Sequence, residues 1–327
     1  MEPLAALRLL TSVDLPARRT PSTPAVPARL EVDWADLADL AVFHGVAPLA
    51  AYNLEYRLGG AGAPEDVHDA LLGYYHGTLS DNVFKLVNLK RLLSEADEVP
   101  VVLLEAAAYA DALYPHVAFR ALPELRLLLR RRDFFKLALA GEAMGLRLEG
   151  EESGAVVLTD QRTRFLLHDS IFGPERGDGE EDLFERGIPA KAFGSRVRRP
   201  AIEDALLSHV ALMARGAFSA PLIEHVDLRE LVRGSPSQSS TWDHRPDARA
   251  VRERSRALGL DRALWCALQL VTGFFPEVAE EARALVPEVP MAIRVLLEAS
   301  VVLPSQRLDR TRVNRAAEEL RKLLLSA

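Results

Sequence analysis

Residues 101–134 read VVLLEAAAYADALYPHVAFRALPELRLLLRRRDF, and the order of elements in this stretch decides the fold. PVVLL at 100–104 is short, apolar and β-branched at its start, which predicts a buried strand. The alanine-rich EAAAYADALY at 105–114 predicts a helix, ELRLLL at 124–129 alternates like a second strand, and a further helix is expected over 132–144. LRLE at 146–149, AVVLT at 155–159 and RFLLH at 164–168 continue with three candidate strands. The middle third of the chain is therefore mixed α and β. FGPERGDGEEDL at 172–183 holds glycines and acidic residues without apolar periodicity and reads as an exposed loop that closes this region.

Outward from this centre the pattern turns helical on both sides. Residues 33–58 carry Trp34, Leu37, Leu40, Val42 and Phe43 at helical spacing, broken near HGVAP. A second run from 64 to 96 repeats Leu71, Leu72, Tyr75, Leu79, Val83, Leu86, Leu89 and Leu93 every three or four residues. Before them, a first helix at 3–11 precedes a segment at 15–29 with four prolines, which suits an extended linker. From residue 200 onward helices return, interrupted by the polar loop SPSQSSTWDHRP at 235–246 and ending in NRAAEELRKLLLS. The expected organisation is an N-terminal helix and linker (1–32), a helical region (33–97), a small mixed-sheet unit (98–199) and a C-terminal helical region (200–327). The fold class is α+β and predominantly helical.

The whole composition narrows the function classes. With 49% hydrophobic and 27% charged residues the chain can bury a substantial core. A net charge of −7 argues against a broad nucleic-acid footprint. A single cysteine, Cys266, allows no internal disulfide and no cysteine-rich metal site. No stretch reaches the roughly 18–20 uninterrupted apolar residues of a membrane span, and the N-terminus, with Glu2 at its start, does not read as a signal peptide. The expected location is the cytoplasm. The basic run at 126–136 and RVRRP at 196–200 read as solvated helix starts, with Phe134 and Phe135 turned to the core. The histidines lack the i,i+4 pairing of a helical zinc site, so no metal is assigned to them. No phosphate-binding loop, dinucleotide fingerprint or nucleophile elbow is present.

The layout and the residues around 104–129 resemble an uncharacterised bacterial nucleotidyltransferase family, a minimal catalytic palm set between helical segments. The family core is a strand ending in LKG, a helix ending in a tyrosine and proline, an arginine, and a strand carrying D-x-D. Here Leu104-Glu105-Ala106 stands in the LKG place, Tyr114-Pro115 closes the helix, Arg120 matches the arginine, and Glu124-Leu125-Arg126 stands in the D-x-D place. Further on, Leu167-His168 matches a Leu-His pair, but Leu166 sits where the family carries a third carboxylate. LLSHVALMA around His209 and the Asp-Leu pair of HVDLRELV at 225–232 resemble the family's later helices.

The resemblance implies a metal-dependent transfer of a nucleotidyl group, in which Mg²⁺ takes hard oxygen ligands and clamps attacking and leaving oxygens. Residues i and i+2 of a strand share a face, so D-x-D aims two carboxylates at one metal. In this sequence Glu124 keeps one carboxylate a methylene further out, Arg126 offers a fixed cation in place of the second, and Leu166 offers no oxygen. Beside a partly buried metal position that guanidinium repels a dication by an amount on the order of several kcal/mol. Glu105 reverses the charge of the family's lysine, and Ala106 replaces its glycine. The simplest account is charge exchange, with Glu105 and Arg126 paired across adjacent strand ends and filling the cleft.

No catalytic residue and no metal are therefore assigned. Glu105, Ala106, Glu124, Arg126 and Leu166 are degenerate active-site positions, and Glu105, Arg120, Arg126 and His168 are candidate ligand or ion-pair residues. The expected function is that of a pseudoenzyme that binds or scaffolds a protein partner, without cofactor, membrane or nucleic acid. The alternatives are an active or altered nucleotidyltransferase, using Mg²⁺, a nucleoside triphosphate and Glu124, Glu105 or Asp169 as replacement ligands, or a nucleotide-binding protein without transfer in which Arg120 and Arg126 hold the phosphates.

Overall fold

The computed structural model describes residues 1–13, 29–110, 112–152, 154–173, 179–234, 242 and 244–300. Most of the proline-rich segment, most of the polar loop at 235–246 and the terminal helix expected over 314–326 lie outside the described residues.

Four helices lead into the sheet: α1 (Pro3–Leu9), α2 (Trp34–Phe43), α3 (Ala47–Leu58) and α4 (Glu65–Glu95). Asp33 starts α2 by accepting hydrogen bonds from the Ala35 and Asp36 amides at 3.0 and 3.1 Å, two donors that the first turn leaves unpaired. Gly59, at φ +56°, ends α3 in the left-handed conformation that glycine adopts most cheaply. α1 belongs to the core: Ala6, Leu7 and Leu10 are fully buried, and Asn53 of α3 donates to the Leu10 and Ser12 carbonyls.

The sheet is built from β1 (Val101–Leu104), β2 (Leu125–Leu128), β3 (Arg147–Glu152), β4 (Ala155–Thr159), β5 (Arg164–His168), β6 (Ile188–Pro189) and β7 (Val197–Arg199). Its order is β3-β4-β5-β2-β1-β7-β6. β1 runs antiparallel to β2 and parallel to β7, β2 runs parallel to β5, and the outer pairs are antiparallel. VVLL occupies the interior of this order and is buried at every position, as its unbroken apolar run requires. Helices α5 (Ala106–Tyr109), α6 (Phe134–Ala143) and α7 (Gly179–Arg186) connect the strands, and α8 (Ile202–Arg215), α9 (Leu222–Arg233), α10 (Ala248–Ala257), α11 (Asp261–Phe274), α12 (Ala279–Leu285) and α13 (Met291–Ser300) follow. The α+β class and the mixed sheet between helical segments agree with the sequence reading.

Four local expectations are corrected. The acidic stretch at 172–183 is not all loop: α7 begins at Gly179 and buries Leu183 and Phe184. Glu180, Glu181 and Asp182 form the first turn, where they favour the positive end of the helix dipole. RVRRP is not a helix start but contains β7, with Val197 and Arg199 buried beside β1. Phe135 does not face the core; it is 77% exposed. The helix expected over 105–114 is a single turn, Ala106–Tyr109, after which the chain turns.

Candidate functional site at the end of the central strands

The register fixes which side chains share a face. Arg126 lies opposite Leu104 on β1 and opposite Leu166 on β5, and His168 lies opposite Leu128, two residues on from Arg126. Directly paired residues point to one side of a sheet, so Arg126, Leu166 and His168 share a face. Strict alternation would send Glu105, the residue after Leu104, to the other side. Glu105 instead has φ +46°, ψ −130°, a conformation that costs a residue with a β-carbon about 1–3 kcal/mol. This kink passes the chain from β1 into α5, whose Ala108 and Tyr109 amides bond to the Glu105 carbonyl. It also brings the Glu105 carboxylate to within 3.0 Å of Arg126 Nε.

From that contact a row of alternating charge crosses the sheet face. Arg126 Nη2 lies 3.2 Å from Glu124, Glu124 lies 3.3 Å from Arg164, and Arg164 reaches Glu152 at 2.7 Å and Glu149 at 3.4 Å. Leu166 is buried in a small apolar group with Ala155 and Val157. Ala106, buried, opens α5. Asp169, just beyond β5, faces Arg131 at 3.9 Å.

On its other side the Glu105 carboxylate meets the C-terminal helices. His209 of α8 places Nδ1 3.7 Å from Glu105 Oε1, and Glu224 of α9 completes a group of three whose ligand atoms lie within 4.8 Å of one another. Arg120 is buried with every nitrogen engaged: Nε to Asp227 at 2.9 Å, Nη2 to Glu224 at 2.7 Å and Nη1 to the Ala121 carbonyl. Tyr114 donates its hydroxyl to the second oxygen of Asp227. The loop carrying Arg120 is held by α4, where Asn82 donates to the Val117 and Arg120 carbonyls and accepts from the Leu122 amide. The Tyr-Pro and arginine positions of the sequence motif thus dock the Asp-Leu position of α9 through buried polar contacts.

The electrostatics follow from burial and these partners. Burial raises the Glu105 pKa against the pull of Arg126. Burial also raises that of Asp227 to about 6, opposed by Arg120. At Glu224 burial acts upward as well, but Arg120, His209 and Arg126 outweigh it and the pKa falls. His168 is buried with neither ring nitrogen hydrogen-bonded among the described residues; burial, then Arg126 and Arg215, push its pKa down to about 3, so it is neutral.

A family model described as "Uncharacterised nucleotidyltransferase" matches residues 31–276, well over half of the chain. The chain belongs to this uncharacterised nucleotidyltransferase family. No curated protein and no solved structure matches it. The match to the nucleotidyltransferase family spans the whole sheet and reaches through α11, so both the strand face with Arg126 and the helices with His209 and Asp227 fall inside it.

The family resemblance points to Glu105, Arg120, Arg126 and His168, and the structure brings the first three into one connected network with His168 beside it. The resemblance includes the helix of His209 but not its meeting with Glu105, 104 positions away, and it includes neither Glu224 nor Asn82.

Proposed function

We infer that this chain is a nucleotidyltransferase-fold protein that has lost metal-dependent transfer and works as a binding component for a protein partner. The observation that carries this reading is the position of Arg126. Its guanidinium stands on the strand face where a second metal-binding carboxylate would be needed, and Glu105 and Glu124 both contact it. Beside it Leu166 presents hydrocarbon at the paired position of β5. A Mg²⁺ ion needs several oxygen ligands in near-octahedral geometry, and of the three strand positions Glu124, Arg126 and Leu166 only Glu124 offers a carboxylate.

An exposed apolar surface supports the binding role. Phe135 and Leu139, one turn apart on α6, and Leu148 on β3 are each more than half exposed. α6 packs on β3, and among the described residues β3 is the outermost strand of its side, with an unpaired edge. Such an edge beside apolar side chains suits a polypeptide partner. No helix among the described residues is long and apolar enough to cross a membrane.

Isothermal titration of the full chain with ATP, GTP, CTP and UTP, with and without Mg²⁺ or Mn²⁺, tests the loss of transfer. The expected result is no metal-dependent binding, together with no incorporation of α-labelled nucleotide into any acceptor. Tight metal-dependent binding would overturn the reading, and metal-independent binding would replace it with nucleotide recognition by the arginines.

A further inference from the structure

His209 has an unusual hydrogen-bonding position. It is completely buried on α8, and its Nε2 lies 2.9 Å from the backbone carbonyl oxygen of Glu224. A carbonyl oxygen only accepts, so Nε2 carries a proton, and in the neutral form of the ring the lone pair stands at Nδ1. That Nδ1 is shielded from solvent, has no hydrogen-bond partner among the described residues, and faces Glu105 Oε1 at 3.7 Å. Two acceptors aimed at each other in a buried site call for a positive species between them.

The carboxylates are prepared for that species. Arg126 Nε holds Glu105 by Oε2 and so leaves Oε1 toward His209, while Arg120 Nη2 holds Glu224 by Oε1. Metal-binding carboxylates are ordinarily oriented by hydrogen bonds of this kind, as a metal-binding imidazole is by a carbonyl at its other nitrogen. The surrounding charge is also favourable. The ion pairs running from Glu105 and Glu224 connect six carboxylates to three guanidiniums among the described residues, with Arg215 near enough to interact with Glu105.

We propose that Glu105, His209 and Glu224 form a binding site for a divalent transition-metal ion, with Zn²⁺ the best fit. Zinc accepts imidazole nitrogen together with carboxylate oxygen at about 2.0–2.2 Å, and commonly uses three protein ligands with a fourth position open. Ligand atoms around such an ion lie no more than about 4 Å apart, so atoms now within 4.8 Å need to close by roughly an ångström. Mg²⁺ is disfavoured because one of the three ligands is nitrogen. This site is not the strand-borne carboxylate position: it uses neither Glu124 nor the places of Arg126 and Leu166. It ties the end of β1 to α8 and α9.

The test is titration of the chelator-stripped full chain with Zn²⁺, Mn²⁺ and Mg²⁺. One Zn²⁺ per chain is expected, with Mg²⁺ far weaker. Glu105→Gln and Glu224→Gln should each weaken zinc by at least ~10–100-fold, the loss usual even for residues that only orient a ligand. Circular dichroism of the variants shows whether they are folded. X-ray absorption of the zinc-loaded wild type gives a second readout that needs no variant, and should contain an imidazole and no sulfur. The ¹⁵N resonance of His209 Nδ1 should also shift on metal addition. Absence of stoichiometric zinc, an absorption spectrum without imidazole, or folded variants that bind like wild type would overturn the site. So would an Nδ1 found protonated in the presence of zinc, since a proton would then fill the gap. Failure here leaves the nucleotide titrations unaffected, because those read a different set of ligands.

Discussion

Arg126 is gripped from two sides, by Glu105 at 3.0 Å and by Glu124 at 3.2 Å, with its side chain 29% exposed. A pair that is partly shielded and fixed at a strand end should couple more strongly than a surface pair. In a double-mutant cycle of Glu105→Gln and Arg126→Gln, followed by urea unfolding, a coupling of about 1–2 kcal/mol is expected. A value near zero would mean that the contact does not hold the strand ends together. His168 yields a pH prediction whose sign is fixed by its environment. Its pKa falls to about 3 in the folded state, so below the ordinary histidine value of about 6.5 the unfolded chain takes up a proton that the folded chain refuses. Stability is therefore lost as pH drops from about 6.5 toward 3. Between pH 6.5 and 5 this amounts to roughly 1.5–2 kcal/mol, and His168→Gln should remove it from the unfolding free energy. Comparison with the variant is needed because Asp204 and Asp227, raised to about 6 mainly by burial, act in the opposite direction over the same range.

At the scale of elements, legibility in the sequence tracked length and periodicity. α4 repeats its apolar positions from Leu71 to Leu93, about six turns, and β4 and β5 hold the apolar runs AVVL and FLL, so their patterns are visible. β7 has three residues, two of them arginine, and its strand character comes from pairing with β1 rather than from any local pattern. α7 hides its two buried apolar side chains, Leu183 and Phe184, behind an acidic first turn. Leu183 tests the reassignment of that segment: it is fully buried, so Leu183→Ala should cost about 2–5 kcal/mol in chemical unfolding, against less than about 0.5 kcal/mol for an exposed loop position. The candidate site divides in the same way. Its strand residues were readable through the family resemblance, whose D-x-D strand places i and i+2 on one face. The meeting of His209 and Glu224 with Glu105 was not, because it arises only after α8 and α9 fold back on the end of β1. The kink at Glu105 had no sequence signal either, since the residue there is not glycine.

For the whole molecule, the binding role rests on the surface formed by α6 and the β3 edge. A double substitution, Phe135→Asp with Leu139→Asp, changes only exposed side chains, so unfolding stability should move by less than about 0.5 kcal/mol. Co-purification from the native host should then lose a partner that wild type retains in constant proportion. Unchanged recovery by the variant would locate binding elsewhere. The row of charge beginning at Glu105 has one more consequence, for the routes by which this sequence can change. Arg126→Asp alone would crowd three carboxylates at one strand end, and Glu105→Lys alone would press two cations together. Leu166→Asp alone would bury a carboxylate against Ala155 and Val157. Each of these three single changes is destabilising, so substitution one residue at a time leaves the charge pairs around Arg126 in place.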